Sequence, residues 1–198
     1  MAAQKGHHEI TRILLDGGAD LTVGNITDDT PLHEAAHFGK IKVVKVLTSN
    51  PGVTPEFLGA KNASGNTAAH FACMYGRDEV LEELIRSGDG RVDLEAKNLS
   101  GETPLHLACY KGHPKCIRLL AKAGVDVEAK AGKKAATPLF YAMEFNNLEC
   151  AAALVEGGAN PENVPDSTKR KLLLNGSKTG NVEIVDKLMP YMGELDFA

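Results

Sequence analysis

The chain has 198 residues, of which 43% are hydrophobic and 24% are charged, and its formal net charge is −4. This composition is too apolar for a disordered chain, and the slight negative charge gives no general affinity for nucleic acid. No stretch is long and apolar enough to predict a membrane span, and the N-terminus lacks the apolar core of a signal peptide. We therefore expect a soluble globular domain.

A glycine recurs in a fixed context and divides the chain into six similar units. It stands at Gly6, Gly39, Gly76, Gly112 and Gly180, with Asn146 in the fifth place, at spacings of 33, 37, 36, 34 and 34 residues. Such a period is typical of arrays of small units that bury apolar surface only by stacking on one another. The function of such a chain is expected on its surface.

Each unit is predicted to be a pair of helices separated by this glycine, which tolerates the left-handed conformation that ends the first helix. A small residue comes four positions before the glycine, which indicates close contact between helices: Ala2, Ala35, Ala72, Ala108, Ala142 and Gly176. Apolar residues come four and eight positions after it and share one face of the second helix: Ile10 and Leu14, Val43 and Leu47, Val80 and Leu84, Cys116 and Leu120, Cys150 and Leu154, Ile184 and Leu188.

The first helix of three units begins with a Thr-Pro pair, at Thr30, Thr103 and Thr137. The hydroxyl caps the helix, and the proline occupies the first helical position, where its missing N–H costs nothing. The first unit has no such start, because residues 2–6 correspond to the last turn of a first helix. We expect the chain to be a fragment of a longer array rather than to begin with a shortened cap.

The motifs Thr30-Pro-Leu-His-Glu-Ala-Ala36, Thr103-Pro-Leu-His-Leu-Ala-Cys109 and Gly17-Gly-Ala-Asp20 resemble the signature of the ankyrin repeat. Two weaker copies carry Ala68 in place of the proline and Phe140 in place of the histidine. The resemblance implies an all-α ankyrin-repeat solenoid of helix-turn-helix units joined by hairpin-like loops. We expect a single domain over 1–198, with approximate repeats at 1–24 (partial), 25–61, 62–97, 98–131, 132–165 and 166–198 (capping).

Two loops lengthen the period, at 48–58 and 87–91. Insertions in solenoids fall on one face, so the first loop is either part of a binding face or only a stiff, ordered detour around Phe57. The last unit has Gly176 and Ser177 where other units have better helix formers, so its first helix is predicted to be the least stable.

The string His33-Glu34-Ala-Ala-His37 matches the metalloprotease motif, in which two histidines one helical turn apart bind zinc. However, His33, His70 and His106 share one repeat position, where the ankyrin resemblance implies hydrogen bonds within the turn and to the neighbouring unit. The same resemblance accounts for both alanines. A zinc hydrolase that uses His33, Glu34 and His37 is kept only as a remote hypothesis.

The four cysteines occupy positions that hold small core residues in other units: Cys73, Cys109, Cys116 and Cys150. We expect all of them to be free thiols, which favours the cytoplasm or nucleus, and we expect no metal or other cofactor. A basic cluster at Lys130, Lys133 and Lys134 is typical of a solvated loop.

The resemblance implies that a partner contacts the hairpin tips and the end of each first helix. The two residues before the recurring glycine supply an aromatic in four successive units, which predicts a binding surface on the concave face. Its residues are Phe38, Met74, Tyr75, Tyr110, Lys111, Glu144 and Phe145. The alternative is that these rings pack under the neighbouring hairpin.

We therefore predict a non-catalytic, monomeric module that binds another protein. The second hypothesis is a regulatory ankyrin fragment of a larger enzyme or channel.

Overall fold

The computed structural model describes residues 1–88 and 92–191, and its helices form two parallel rows. The first helix of each unit lies in one row: α1 (Ala2–Lys5), α3 (Pro31–His37), α6 (Ala68–Met74), α8 (Pro104–Lys111), α10 (Pro138–Glu144) and α12 (Asp166–Thr179). The second helix lies in the other: α2 (His8–Asp16), α4 (Ile41–Thr48), α7 (Asp78–Gly88), α9 (Pro114–Lys122), α11 (Leu148–Glu156) and α13 (Val182–Leu188). Short helices complete the chain: α5 (Pro55–Leu58) and the 3-10 turns Pro161–Asn163 and Met189–Tyr191.

Each helix packs against the corresponding helix of the next unit, and the core lies between the two rows. The small residues before the recurring glycine lie in this core: Ala35, Ala72, Ala108 and Ala142 are fully buried. At Gly176 a Cβ atom would lie 2.6 Å from Cγ2 of Val185, which is closer than real Cβ contacts. Helix contact at this position is therefore confirmed, and packing explains why the last unit has glycine there.

The apolar stripe of the second helices is buried in the central units but not in the first. Val43, Val80 and their partners four residues later are buried, whereas Ile10 and Leu14 are about half exposed, at 49% and 51%. The reason is that α1 supplies only one turn of first helix, so part of the α2 surface has nothing packed on it. The stripe thus forms an open apolar end on the first unit.

The recurring glycine adopts the left-handed conformation that the sequence predicts, as at Gly112, where φ is 78°. Asn146 adopts it too, with φ of 58°, so the fifth unit makes the same turn without glycine. All six units therefore end their first helix in the same geometry.

Three histidines connect successive units. His33 accepts the Thr30 backbone N–H at Nδ1 (3.1 Å) and donates from Nε2 to the carbonyl of Asn66 in the next turn (2.9 Å). His70 bonds in the same way to Thr67 and the Glu102 carbonyl, and His106 to Thr103 and the Ala136 carbonyl. The linking role that the resemblance implied is confirmed for these three.

Burial lowers the pKa of His70 to about 4 and lowers the pKa of His33 and His106. All three imidazoles are therefore neutral at physiological pH, as their hydrogen bonds require.

The loop at 48–58 is an ordered detour, because Phe57 in α5 is buried in the core. The loop at 87–91 lies partly outside the described residues. The four cysteines are free and buried, as predicted. Within the described part of the chain, no helix is long and apolar enough to cross a membrane. The expected low stability of α12 and the repeat boundaries stay predictions.

Candidate protein-interaction surface

The ends of four successive first helices form a row of partly exposed aromatic side chains. Phe38 and Tyr75 are each 37% exposed, Tyr110 is 38% exposed and Phe145 is 48% exposed. Met74 is half-buried beside Tyr75, Lys111 is exposed beside Tyr110, and Glu144 is half-buried beside Phe145. We call these seven predicted residues the aromatic row. Because these rings form a contiguous row rather than single exposed residues, they are candidate interface anchors.

The following unit fixes the helix ends that carry this row. Arg77 Nε donates to the His37 carbonyl (3.1 Å), and His113 Nε2 lies 3.3 Å from the Met74 carbonyl. Asn147 Nδ2 donates to the carbonyls of Cys109 (2.7 Å) and Tyr110 (3.1 Å). Because the last carbonyls of a helix lack partners within it, these bonds complete the helix ends and hold the row in place. In each case the residue directly after the recurring glycine or Asn146 makes these bonds, a role that the sequence pattern did not predict.

Four rings of the second and third units form the N-terminal aromatic cluster, which consists of His37, Phe38, Phe71 and Tyr75. His37 is stacked between Phe38, with centroids 4.3 Å apart, and Tyr75, 4.1 Å away. Phe71 lies 6.0 Å from Tyr75 and packs edge-on against His33 at 5.6 Å. The imidazole of His37 thus fills the space between two rings of the row.

A C-terminal aromatic cluster, consisting of Tyr110, Phe140, Tyr141 and Phe145, repeats this arrangement two units further along. Tyr110 meets Phe145 at 4.5 Å, and Tyr141 lies 6.1 Å from Phe145 and packs edge-on against His106 at 5.2 Å. Each contact matches one in the first cluster, because the residues occupy the same positions relative to the recurring glycine. The rings of Tyr110 and Phe145 are inclined at 68° instead of stacked.

The C-terminal aromatic cluster borders a cavity of about 470 Å³, within the usual range for ligand pockets. Its other wall is the hairpin 131–136, closed by backbone bonds between Ala131 and Ala136 at 2.9 and 3.0 Å. This hairpin is one residue longer than the turn Asn98–Glu102 before it, and Lys133 and Lys134 are exposed at its tip. Lys133 and Lys134 of the basic cluster therefore lie at the rim of this cavity.

Two carboxylates line the same cavity, and both have partners within the molecule. Glu102 accepts hydrogen bonds from the Tyr141 hydroxyl (3.0 Å) and from Asn98 Nδ2 (3.2 Å). Glu144 is paired with Lys171 Nζ at 3.0 Å. Burial, together with the bond to Glu102, raises the pKa of Tyr141 to about 12, so that its hydroxyl stays a donor.

The side chains of the metalloprotease-like motif, His33, Glu34 and His37, make structural contacts instead of forming a zinc site. His33 is buried and both its ring nitrogens are hydrogen-bonded, which leaves no lone pair for zinc. Glu34 accepts a bond from Asn25 Nδ2 at 2.8 Å, and His37 lies within the ring stack. Among the residues of 1–88 and 92–191, no group of three or more His, Cys, Asp or Glu side chains is arranged to hold a metal ion.

The structure adds Phe140 and Tyr141 to the surface that the sequence predicted. The signal for Phe140 was present, since it replaces the repeat histidine. Tyr141 carried no comparable signal, because its position holds Glu34, Phe71 and Leu107 in the preceding units.

Comparisons with known proteins agree with this architecture. The family model described as ankyrin repeats in three copies matches residues 1–57 and 52–131, and the single ankyrin repeat model matches residues 136–167. The chain therefore belongs to the ankyrin repeat family.

Its relatives are larger proteins of several kinds. The chain is 34% identical to human B-cell lymphoma 3 protein over 142 residues, which are 71% of this chain and 30% of that protein. It is 29% identical to the chicken nuclear factor NF-kappa-B p105 subunit over 161 residues, 78% of this chain and 16% of that protein. It is 30% identical to the probable E3 ubiquitin-protein ligase XBOS33 of Oryza sativa subsp. japonica over 183 residues, 89% of this chain and 34% of that protein. The chain thus spans about a third or less of the length of these relatives.

Proposed function

We propose that the chain is a non-catalytic module that binds another protein through the aromatic row, as a monomer. Ankyrin repeats in relatives such as B-cell lymphoma 3 protein are consistent with protein interaction. The observation that carries the choice of surface is the partial exposure of Phe38, Tyr75, Tyr110 and Phe145, which all lie within the two positions before the recurring glycine or Asn146. No nucleic acid is expected as partner, because the net charge is −4. The free, buried thiols favour the cytoplasm or nucleus.

The test is to capture partners from source cells with the tagged chain and to compare aromatic-row variants. Tyr75→Ala and Tyr110→Ala are expected to lose a specific partner, at a cost of about 2 kcal/mol or more in binding for a central anchor. Ile13→Ala, which alters an equally apolar and more exposed side chain away from the row, is the control. Melting temperatures distinguish lost contact from unfolding. Capture that survives both row variants but fails with Leu99→Ala would assign binding to the hairpin tips.

A second candidate function is a regulatory ankyrin segment of a larger enzyme or channel. It is favoured by the relatives themselves, which include a probable E3 ubiquitin-protein ligase and a transient receptor potential cation channel homolog of Caenorhabditis elegans. Extending the transcript in both directions tests it, because a catalytic or membrane domain in the same reading frame would support this assignment.

A further inference from the structure

The cavity at the C-terminal aromatic cluster has an apolar interior. Tyr110, Phe140, Tyr141 and Phe145 form one side of it, and Ala131 and Ala136 form part of the hairpin side. Aromatic side chains arranged around a space of this size favour a further aromatic or large aliphatic group at ring centroid distances of about 4.5 to 7 Å. The interior therefore selects a bulky apolar side chain.

The cavity is open because the hydrogen-bonded series of turns ends at this unit. The tips of the earlier turns bond to one another, from Ala63 N to the Thr27 carbonyl (3.0 Å) and from Leu99 N to the Ser64 carbonyl (3.1 Å). The side chain of Phe140 has no nitrogen with which to bond the next unit, and the connection after α11 is a 3-10 turn instead of a hairpin. The hairpin 131–136 therefore has a neighbouring hairpin tip on its N-terminal side and none on its C-terminal side among the described residues.

The charges around the cavity favour an acidic ligand. Lys133 and Lys134 form no ion pair with any residue of the described ranges. The Lys111 ammonium lies 4.5 Å from the centre of the Tyr110 ring. Of the two carboxylates, Glu144 is already paired with Lys171. The cavity lining thus holds two ammonium groups against Glu102, the one carboxylate without an ion pair, and Lys111 adds a third ammonium over the Tyr110 ring.

We propose that this cavity binds an acidic linear segment of the partner, with one bulky apolar side chain inside and neighbouring Asp or Glu side chains on Lys133, Lys134 and Lys111. The inference rests on the proposed function and names the partner chemistry for one part of that surface. The apolar group supplies affinity by burial, and the carboxylates supply specificity and a faster association.

The experiment selects short random peptides displayed on phage against the whole chain and measures the selected peptide by fluorescence anisotropy. We expect peptides with an aromatic or large aliphatic residue next to two or more Asp or Glu residues. Lys133→Glu combined with Lys134→Glu should weaken binding on the order of tenfold at low salt and less at high salt. Lys42→Glu combined with Lys45→Glu is the matched control, because both pairs change the formal net charge from −4 to −8 and Lys42 and Lys45 are exposed on α4.

A charge exchange sharpens the test. The Lys133→Glu and Lys134→Glu double variant should prefer the same peptide with Lys in place of its acidic residues. Phe145→Ala should weaken the binding of the acidic peptide to the native chain and of the basic peptide to the double variant, whereas Ile13→Ala, which alters an exposed apolar side chain outside the aromatic row, should weaken neither.

Four outcomes would overturn the proposal. Selection of basic peptides by the native chain would mean that Glu102 and the rings bind cations. If the selected peptides were apolar and the two double variants changed their affinity equally, Lys133 and Lys134 would have no role in binding. Loss of binding with Tyr75→Ala but not with Phe145→Ala would refute the cavity while leaving the proposed function intact. Indifference to every aromatic-row variant would refute both.

Discussion

The two aromatic clusters share most of their positions in units two apart, yet one is filled and the other borders an open cavity. In the N-terminal cluster, His37 stacks on both Phe38 and Tyr75. In the C-terminal cluster, the equivalents of His37 and Phe38 are Tyr110 and Lys111, so one ring is replaced by an ammonium. The same backbone arrangement therefore carries different surfaces, because a few side chains differ at equivalent positions.

The second difference lies beneath the rings. His70 in the third unit bonds to the Glu102 carbonyl of the next unit, whereas Phe140 at the same position in the fifth unit lines the cavity. Giving up the hydrogen bond between units makes a side chain available for binding. The predictions below test whether the histidine at this position serves stability and whether Phe140 serves the cavity instead.

The largest expected effect is acid destabilisation of the units that contain the histidines. The folded pKa of His70 is about 4, below its unfolded value of 6.5, so the unfolded chain binds the extra proton as the pH falls. Stability is thus fully present above pH 6.5 and lost as the pH approaches 4. This difference corresponds to about 3 kcal/mol for His70, and His33 and His106 act in the same direction.

Hydrogen exchange at about pH 7.5 and about pH 4.5 checks this prediction, with intrinsic rates corrected for pH. Amides of α3, α6 and α8 should lose more protection than those of α10 and α11. A His70→Gln variant, which cannot titrate, should show a smaller acid effect. Equal losses along the array would mean that carboxylates, and not the buried imidazoles, control acid stability.

The next largest effect is the loss of stability when His70 and Phe140, which occupy equivalent positions, are each replaced by alanine. His70→Ala should lower the free energy of unfolding by about 3 kcal/mol, because the Thr67 N–H and the Glu102 carbonyl lose their buried partner. Phe140→Ala removes only a half-exposed ring and should cost about 1 kcal/mol. Urea unfolding followed by circular dichroism measures both. A Phe140→Ala cost as large as that of His70→Ala would show that Phe140 is mainly a structural residue.

A smaller effect is expected for the hydroxyl of Tyr141. Tyr141→Phe removes the bond to Glu102 and should cost about 1 kcal/mol at neutral pH, whereas Tyr75→Phe should cost less, because Tyr75 makes no hydrogen bond among the described side chains. The folded pKa of about 12 lies above the ordinary tyrosine value of 10, so this contribution is present below pH 10 and lost as the pH rises through 12. Ultraviolet titration should find one fewer late-ionising tyrosine in Tyr141→Phe. An unchanged titration would contradict the bond.

The sequence pattern predicted the helix pairs and the glycine turns, and the family resemblance implied the histidine bonds, because each depends on contacts that the repeat imposes at a fixed position. It also located Phe38, Tyr75, Tyr110 and Phe145, whose exposure follows from the same register. Their role in binding stays a prediction.

The cavity could not be predicted in this way. It depends on the extra residue in the hairpin 131–136 and on how far Lys133 and Lys134 lie from Phe140 in space, and neither follows from the period. The apolar stripe of α2 was expected to match the others, but Ile10 and Leu14 are half exposed, because burial depends on the neighbouring unit as well as on the pattern. Repeat patterns predict the frame, and departures from them indicate where the surface has been altered.

The smallest effect is expected for Lys111→Phe, which makes the C-terminal aromatic cluster resemble the N-terminal one. In Lys111→Phe, the new ring should stack on Tyr110 as Phe38 stacks on His37, which removes one ammonium from the cavity rim. Position 111 is exposed, so the stability should change by no more than about 0.5 kcal/mol. The affinity for the acidic peptide should fall about threefold, since one charge contact at a rim is worth less than about 1 kcal/mol. Lys45→Phe, which removes an exposed ammonium on α4 outside the aromatic row, is the control and should leave that affinity unchanged. If Lys111→Phe instead strengthened binding, ring area rather than charge would control recognition, and the filled cluster would be the better model for the binding site.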